Sequence, residues 1–210
     1  MDAERAKQVM AALHGLYPEA KPELHFRNPF ETLIATILSA QCTDKRVNLV
    51  TARLFPQYPD AFAFAKLTPE ELEPMIRECG LYHNKAKNIV AASRALVERY
   101  DGAVPNTRAK LMALPGVGQK TAGVVLLAAF GDDQIPVDTH VFRVSRRIGL
   151  ADANTPEKVE AQLRELLDRY IWSLGHHLII WHGRRCCHAR KPECERCPLD
   201  AGLCEKHMEN

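Results

Sequence analysis

The stretch Lys110-Leu111-Met112-Ala113-Leu114-Pro115-Gly116-Val117-Gly118-Gln119-Lys120-Thr121-Ala122 constrains the fold more than any other. A helix running towards Leu114 must stop at Pro115, whose ring lacks an N–H and crowds the preceding turn. Gly116 and Gly118 are expected to take positive φ and turn the chain sharply. The apolar run Val124, Val125, Leu126, Leu127 and Phe130 then predicts a second helix buried along its length. The pattern as a whole predicts two helices meeting at a hairpin, over about 107–130. Such a hairpin is either a glycine-rich connection between packed helices or, with no Cβ screening its amides, a cradle for a phosphate.

Two residues near the hairpin carry chemistry. Lys120 falls in the first turn of the second helix, where the macrodipole disfavours a cation. That effect and burial both favour the neutral amine, so Lys120 is either a candidate nucleophile or a solvated surface lysine. Downstream, Asp138 precedes Thr139-His140-Val141-Phe142 and reads as an N-cap whose carboxylate accepts helix N–H bonds. A carboxylate held that way stays ionised and aimed, which suits a group beside a developing cation.

Helical signals recur along the chain and strand signals do not. Phe30, Leu33, Ile34, Ile37 and Leu38 repeat at helical spacing. Thr68-Pro69-Glu70-Glu71 combines an N-cap, a first-turn proline and a capping-box glutamate. Pro74 is expected to kink or split the helix that starts there, and Gly80 to end it. A helix is predicted from Asn84 to Tyr100. Another begins at Thr155-Pro156-Glu157 with Val159, Leu163, Leu166, Leu167 and Tyr170 on one side, and a last one runs from Trp172 to His182, stopping at Gly183. The expected class is all-α. A net charge of only +2 on 210 residues means that affinity for nucleic acid must come from local patches. Arg143, Arg146 and Arg147 form one, and Arg184, Arg185, Arg190 and Lys191 another. No run is apolar enough to span a membrane, and Met1-Asp2-Ala3-Glu4-Arg5 lacks the start of a secretory signal, so a cytoplasmic chain is expected.

Seven cysteines in a reducing compartment argue for metal or isolated thiols rather than disulfides. Cys187, Cys194, Cys197 and Cys204, separated by six, two and six residues, can wrap one inorganic centre. Zinc and a [4Fe–4S] cluster both accept four thiolates, and zinc could also recruit His182 or His188. Cys186 is an alternative first ligand. Cys42 and Cys79 lie in helical contexts and read as small core or boundary residues.

Leu114-Pro115-Gly116-Val117-Gly118-Gln119-Lys120-Thr121-Ala122 and Val137-Asp138-Thr139-His140-Val141-Phe142-Arg143-Val144 together resemble the helix-hairpin-helix and catalytic aspartate of the endonuclease III family of DNA glycosylases. The run from Cys187 to Cys194 is similar to that family's cluster entry. The resemblance implies two helical domains flanking a DNA-binding cleft. Residues 21–132 would form a six-helix barrel with the hairpin, and 1–20 with 133–210 a discontinuous iron–sulfur domain whose cluster loop is 187–204. Lys120 and Asp138 would then face each other across the cleft as the catalytic pair. DNA contacts are implied for Gln41, Leu81, Gly116, Val117, Gly118, Gln119, His140, Arg143, Arg190 and Lys191. Gln41, in Ser39-Ala40-Gln41-Cys42-Thr43-Asp44, would fill the hole left by an extruded nucleotide, while Leu81, in Gly80-Leu81-Tyr82, would wedge against the opposite strand. Cys187, Cys194, Cys197 and Cys204 would hold a [4Fe–4S] cluster, with zinc the alternative and a structural role for the group.

The implied activity is that of a monomeric bifunctional DNA glycosylase and abasic-site lyase excising oxidised pyrimidines from duplex DNA, in the cytoplasm and associated with the nucleoid. Alternatives are a related mismatch or adenine glycosylase, or a non-catalytic DNA-binding or redox-sensing iron–sulfur protein. Three departures from the family pattern bear on affinity, lesion preference or loop geometry: Gln119 where a basic residue is common, Gly123 where asparagine is common, and six residues rather than five before Cys204.

Overall fold

The computed structural model describes residues 1–200 and 202–205, and every regular element among them is helical. The chain forms two compact units, Pro22–Asp132 and Met1–Lys21 with Asp133–Asn210. No helix among the described residues is long and apolar enough to cross a membrane.

The unit from Pro22 to Asp132 contains α2 (Pro29–Leu38), α3 (Asp44–Leu54), α4 (Ala61–Ala65), α5 (Pro69–Ile76), α6 (Tyr82–Tyr100), α7 (Arg108–Met112) and α8 (Gln119–Phe130). In α2 every residue from Phe30 to Leu38 is buried, because the largely apolar helix packs against α3, α6 and α8 and its few polar side chains are hydrogen-bonded within the unit. Its start is held by Asn28, which accepts from Glu31 N at 2.9 Å, and the buried Glu31 carboxylate in turn accepts from Arg27 Nε at 2.9 Å and Arg27 N at 2.8 Å. The capping box at Thr68 and Glu71 is complete. Pro74 sits inside α5, which runs to Ile76 and passes into a 3₁₀ turn, Arg77–Cys79, before Gly80 takes φ +66°. Helix α6 begins at Tyr82, two residues ahead of the predicted Asn84, and lays Ile89 and Leu96 into the core against α4 and α5.

The hairpin is built by packing as well as by turn chemistry. Helix α7 ends before Pro115, as expected. Gly116 takes φ +75°, and a Cβ there would meet Asn88 Cβ of α6 at 2.7 Å. Gly118 differs from expectation: its φ is −90° with extended ψ, which any residue adopts, and a Cβ would meet nothing within 4 Å. In α8, Val125, Leu126 and Leu127 are buried, but Phe130 is 37% exposed because the helix ends at Gly131 and its last turn leaves the core.

The second unit contains α1 (Ala3–Leu16), α9 (Thr139–Ile148), α10 (Pro156–Leu166) and α11 (Trp172–Arg185), with 3₁₀ turns at Arg169–Ile171 and Cys194–Arg196. Val159, Leu163 and Leu167 are buried, whereas Tyr170 is 75% exposed, because the chain leaves α10 before reaching it and the helical register no longer applies. Helix α11 runs through Gly183 to Arg185. Gly183 is a contact rather than a stop, since a Cβ there would lie 3.0 Å from both His140 Nδ1 and Val144 Cγ2. Tyr17, just after α1, reaches α11 through Tyr17 Oη and His182 Nδ1, 3.2 Å apart, and His182 is fully buried.

Burial holds the His182 imidazole down at about 4, against about 6.5 for an unfolded histidine. Between those values the unfolded chain binds the extra proton, so stability is full above about pH 6.5 and is lost as pH falls towards about 4. The contribution is at most about 3 kcal/mol. Urea unfolding across this window should show that loss, and His182→Gln should lessen it, the part that comes from His177, which burial also holds at about 4, remaining. Gly116→Ala should lower stability by about 1–3 kcal/mol through its left-handed φ and the Asn88 contact, while Gly118→Ala should leave the thermal midpoint unchanged.

Candidate functional site

In the unit from Pro22 to Asp132, the hairpin presents the start of α8. Gly118 is the N-cap and has no side chain to accept from the first amides, so these N–H groups project without a side-chain cap. Val117 is buried and closes the turn by donating from its N to Leu114 O at 3.2 Å. Arg108 Nη1 donates to Gln119 O at 3.3 Å, tying α7 to α8. A positive helix end flanked by open glycine is what an anion requires.

Lys120 occupies the second position of α8 and is exposed. The sequence left a candidate nucleophile and a solvated surface lysine open for this position, and in the protein alone the side chain stands in solvent.

Gln41 and Leu81, far apart in sequence, both adopt the left-handed conformation, with φ +53° and +49°. Such a backbone costs a non-glycine residue about 1–3 kcal/mol. Leu81 is also 53% exposed, and Gln41 is exposed. The connection between their segments is Lys85, which is buried and donates from Nζ to Leu38 O and Cys79 O, both at 2.8 Å. Burial lowers the affinity of Lys85 for its proton, opposed by the neighbouring Cys42 and Cys79 sulfurs. Sequence reading missed Lys85; a lysine among the apolar positions of α6 was the available signal.

In the other unit, Asp138 is the N-cap of α9 and accepts from Val141 N at 2.8 Å, as its sequence context predicted. It remains partly exposed. His140 is the second residue of α9; burial first, then Arg143 and Arg184, disfavour its imidazolium, with Asp138 opposing them. Arg143 is directed inward: Nη2 donates to Gly183 O at 2.9 Å and Cys187 O at 3.1 Å, and lies 3.2 Å from His140 Nδ1. Arg147, expected in a basic patch, donates instead from Nη2 to Ala189 O at 3.0 Å and from Nη1 to His188 O and to Cys187 Sγ at 3.6 Å. The two arginines thus shape the cysteine loop, and Arg190 and Lys191 are left exposed at its bend, where Lys191 takes φ +51°.

Cys187, Cys194, Cys197 and Cys204 line one small cavity with Cys186, His182 and Arg147. The tightest group there is His182, Cys186 and Cys197, whose ligand atoms all lie within 4.8 Å of one another. Cys197 Sγ is 3.6 Å from His182 Nε2, and Cys186 Sγ donates to Glu193 O at 3.6 Å. A single ion draws its ligands to one point, whereas thiolates on different irons of a cluster stand further apart. Four sulfurs around a common cavity, with the Arg147 N–H aimed at one of them, therefore suit a multi-iron group. The donor set fits it chemically, and Cys186 and His182 form its inner wall. The Cys/His cluster is a candidate metal centre.

Residues 34–169 match the family described as HhH-GPD superfamily base excision DNA repair protein. The Endonuclease III of Synechocystis sp. is 48% identical over 202 residues, spanning 96% of this chain and 92% of that protein. Among solved structures, a non-covalent Endonuclease III–DNA complex superposes with a TM-score of 0.94 at 44% identity, covering 98% of this chain and 96% of the other. A trapped Endonuclease III–DNA covalent intermediate in an estranged-adenine complex matches with the same score and identity, over 98% and 97%. The chain therefore belongs to the endonuclease III family, within the HhH-GPD superfamily of base excision DNA repair proteins.

Proposed function

We propose that this protein is a bifunctional DNA glycosylase and abasic-site lyase that removes oxidised pyrimidines from duplex DNA, with Lys120 as nucleophile and Asp138 as its electrostatic partner. The observation that carries the reading is Lys120 at the second position of a helix whose N-cap is a glycine open to space. That helix end attracts phosphate and repels an ammonium. Asp138, already held by Val141 N, keeps a fixed orientation at the start of its own helix.

The amides of Gly116, Gly118 and Gln119 donate to backbone phosphate, and Val117 holds the turn in shape. Arg190 and Lys191 add charge contacts, and His140 contributes beside Asp138. Arg143 serves DNA through the loop that it fastens. Extruding a nucleotide costs about a few kcal/mol, least for a damaged pair. Leu81 and Gln41, held exposed in strained conformations, enter the stack as wedge and filler and offset that cost. Because Lys120 is exposed in the protein alone, the bound DNA supplies the desolvation that favours its neutral amine.

The Lys120 amine then attacks the sugar C1′ as the base departs, and Asp138 stabilises the positive charge on the sugar. The Schiff base acidifies the C2′ proton, and β-elimination breaks the 3′ C–O bond. The protein acts as a monomer, in the cytoplasm where its DNA substrate lies. Its metal centre is a [4Fe–4S] cluster held by Cys187, Cys194, Cys197 and Cys204, which supplies rigidity to the loop carrying Arg190 and Lys191 and no step of the reaction.

Borohydride added during incubation with abasic duplex should trap a covalent adduct with wild type and none with Lys120→Ala. Asp138→Asn should keep the fold and lower the rate by about 100-fold or more. A wild type that releases damaged bases without an adduct would remove the lyase assignment. Gly118→Ala, neutral for stability, should weaken duplex binding about tenfold. Purified protein should be brown, with iron and sulfide in equal amounts. Stripping the iron should lower the thermal midpoint and the affinity for DNA together, whereas zinc without iron would favour the single-ion alternative.

A further inference from the structure

Cys42 packs against the core that holds Cys79, and the two thiols are side-chain neighbours, although 37 positions separate them and neither belongs to the metal centre. Cys42 lies on the loop before α3 and is partly exposed; its Sγ is 3.8 Å from Thr43 O. Cys79 closes the 3₁₀ turn after α5 and is 2% exposed. The two segments are held in register from both sides. Glu78, next to Cys79, pairs with Arg46 at 2.8 Å and with Arg53, both on α3. Lys85 bonds to the Cys79 carbonyl and to the end of α2, and its ammonium lies beside both sulfurs. One residue before Cys42 is Gln41, and two residues after Cys79 is Leu81.

We propose that Cys42 and Cys79 are a disulfide-forming pair whose oxidation clamps the Gln41 and Leu81 segments together and weakens the grip on lesion-bearing DNA. The effect on DNA rests on the roles proposed above for Gln41 and Leu81; the cross-link itself does not. Hydrogen peroxide is the two-electron oxidant. Cys42, the accessible thiol, attacks it, so an S–O bond forms, the O–O bond breaks and one water leaves. The Cys79 sulfur then attacks the Cys42 sulfenic acid. The S–S bond forms, the S–O bond breaks, and hydroxide departs with the Cys79 proton as a second water. Lys85 places a positive charge where sulfur anions develop. Bonding draws the sulfurs together to about 2.05 Å. Gln41 and Leu81, each already left-handed, have little torsional freedom to absorb that movement.

The test treats cluster-bearing full-length protein with limiting hydrogen peroxide and monitors the visible absorbance to confirm that the cluster survives. After alkylation under denaturing conditions, peptide mass spectrometry should find the Cys42 and Cys79 peptides joined, with the loss of two hydrogen atoms. The join should be absent from Cys42→Ser and from Cys79→Ala. Affinity for a lesion duplex should fall about tenfold in wild type, recover with dithiothreitol, and stay constant in Cys42→Ser under the same treatment. No cross-link in intact protein would overturn the proposal. So would a Cys42 that retains added oxygen beside an alkylatable Cys79, or a cross-link that leaves affinity unchanged. Failure of the reduced protein to bind lesion DNA would count against the proposed function instead, while the cross-linked peptide would still report on the thiol pair.

Discussion

A helix that begins at a glycine leaves its first amide groups without a side-chain acceptor. In this protein that constraint sets the character of the site. Pro115 ends one helix, Gly116 turns the chain against Asn88, and Gly118 starts the next helix with nothing between its amides and the surroundings. The two glycines serve different ends. Gly116 is demanded by the protein, through a positive φ and a contact that a Cβ would violate. Gly118 is demanded by neither, and its missing side chain makes sense as clearance for a ligand backbone. Lys120 takes its chemical meaning from the same helix end.

In the second unit charge is arranged by a different device. Asp138 is oriented by a bond to its own helix, and the arginines around it are mostly turned inward. Arg143 bonds carbonyls of α11 and of the cysteine loop, and Arg147 bonds two more of the loop, so half-buried guanidinium donors shape the loop from within the chain. The charge left for an external partner is small and local, Arg190 and Lys191 above all. That accords with a chain whose formal charge is only +2.

Much of the fold was legible because its signals are local. The capping box at Thr68 and Glu71, the Asp138 cap and the apolar stripe of α2 each depend on residues within one or two turns. Expectations failed where a neighbour distant in sequence intervenes or where the local period is interrupted. Gly183 reads locally as a stop but is a packing contact with α9. Tyr170 belongs to the helical stripe only if α10 continues, and it does not. Whether Lys120 is buried stayed open in the sequence, because that depends on neighbours that periodicity does not name, and the structure leaves it exposed. Arg147 resembles a surface cation in the sequence because its carbonyl partners lie about forty residues away. The candidate catalytic pair, the four cysteines and the hairpin could all be picked out as residues, while Lys85 and the meeting of Cys42 with Cys79 could not.

By itself the sequence determined the all-helical class, the hairpin, the capped aspartate and the closely spaced cysteines of the candidate metal centre, because helix ends, turns and cysteine pairs are written in short spacings. Tertiary structure alone decided which arginines are consumed internally, that Lys120 stands in the open, and that Gln41 and Leu81 belong to segments joined by one buried lysine. Those outcomes follow from long-range packing: a side chain's solvation and partners depend on which distant backbone groups arrive beside it, and no local period encodes that.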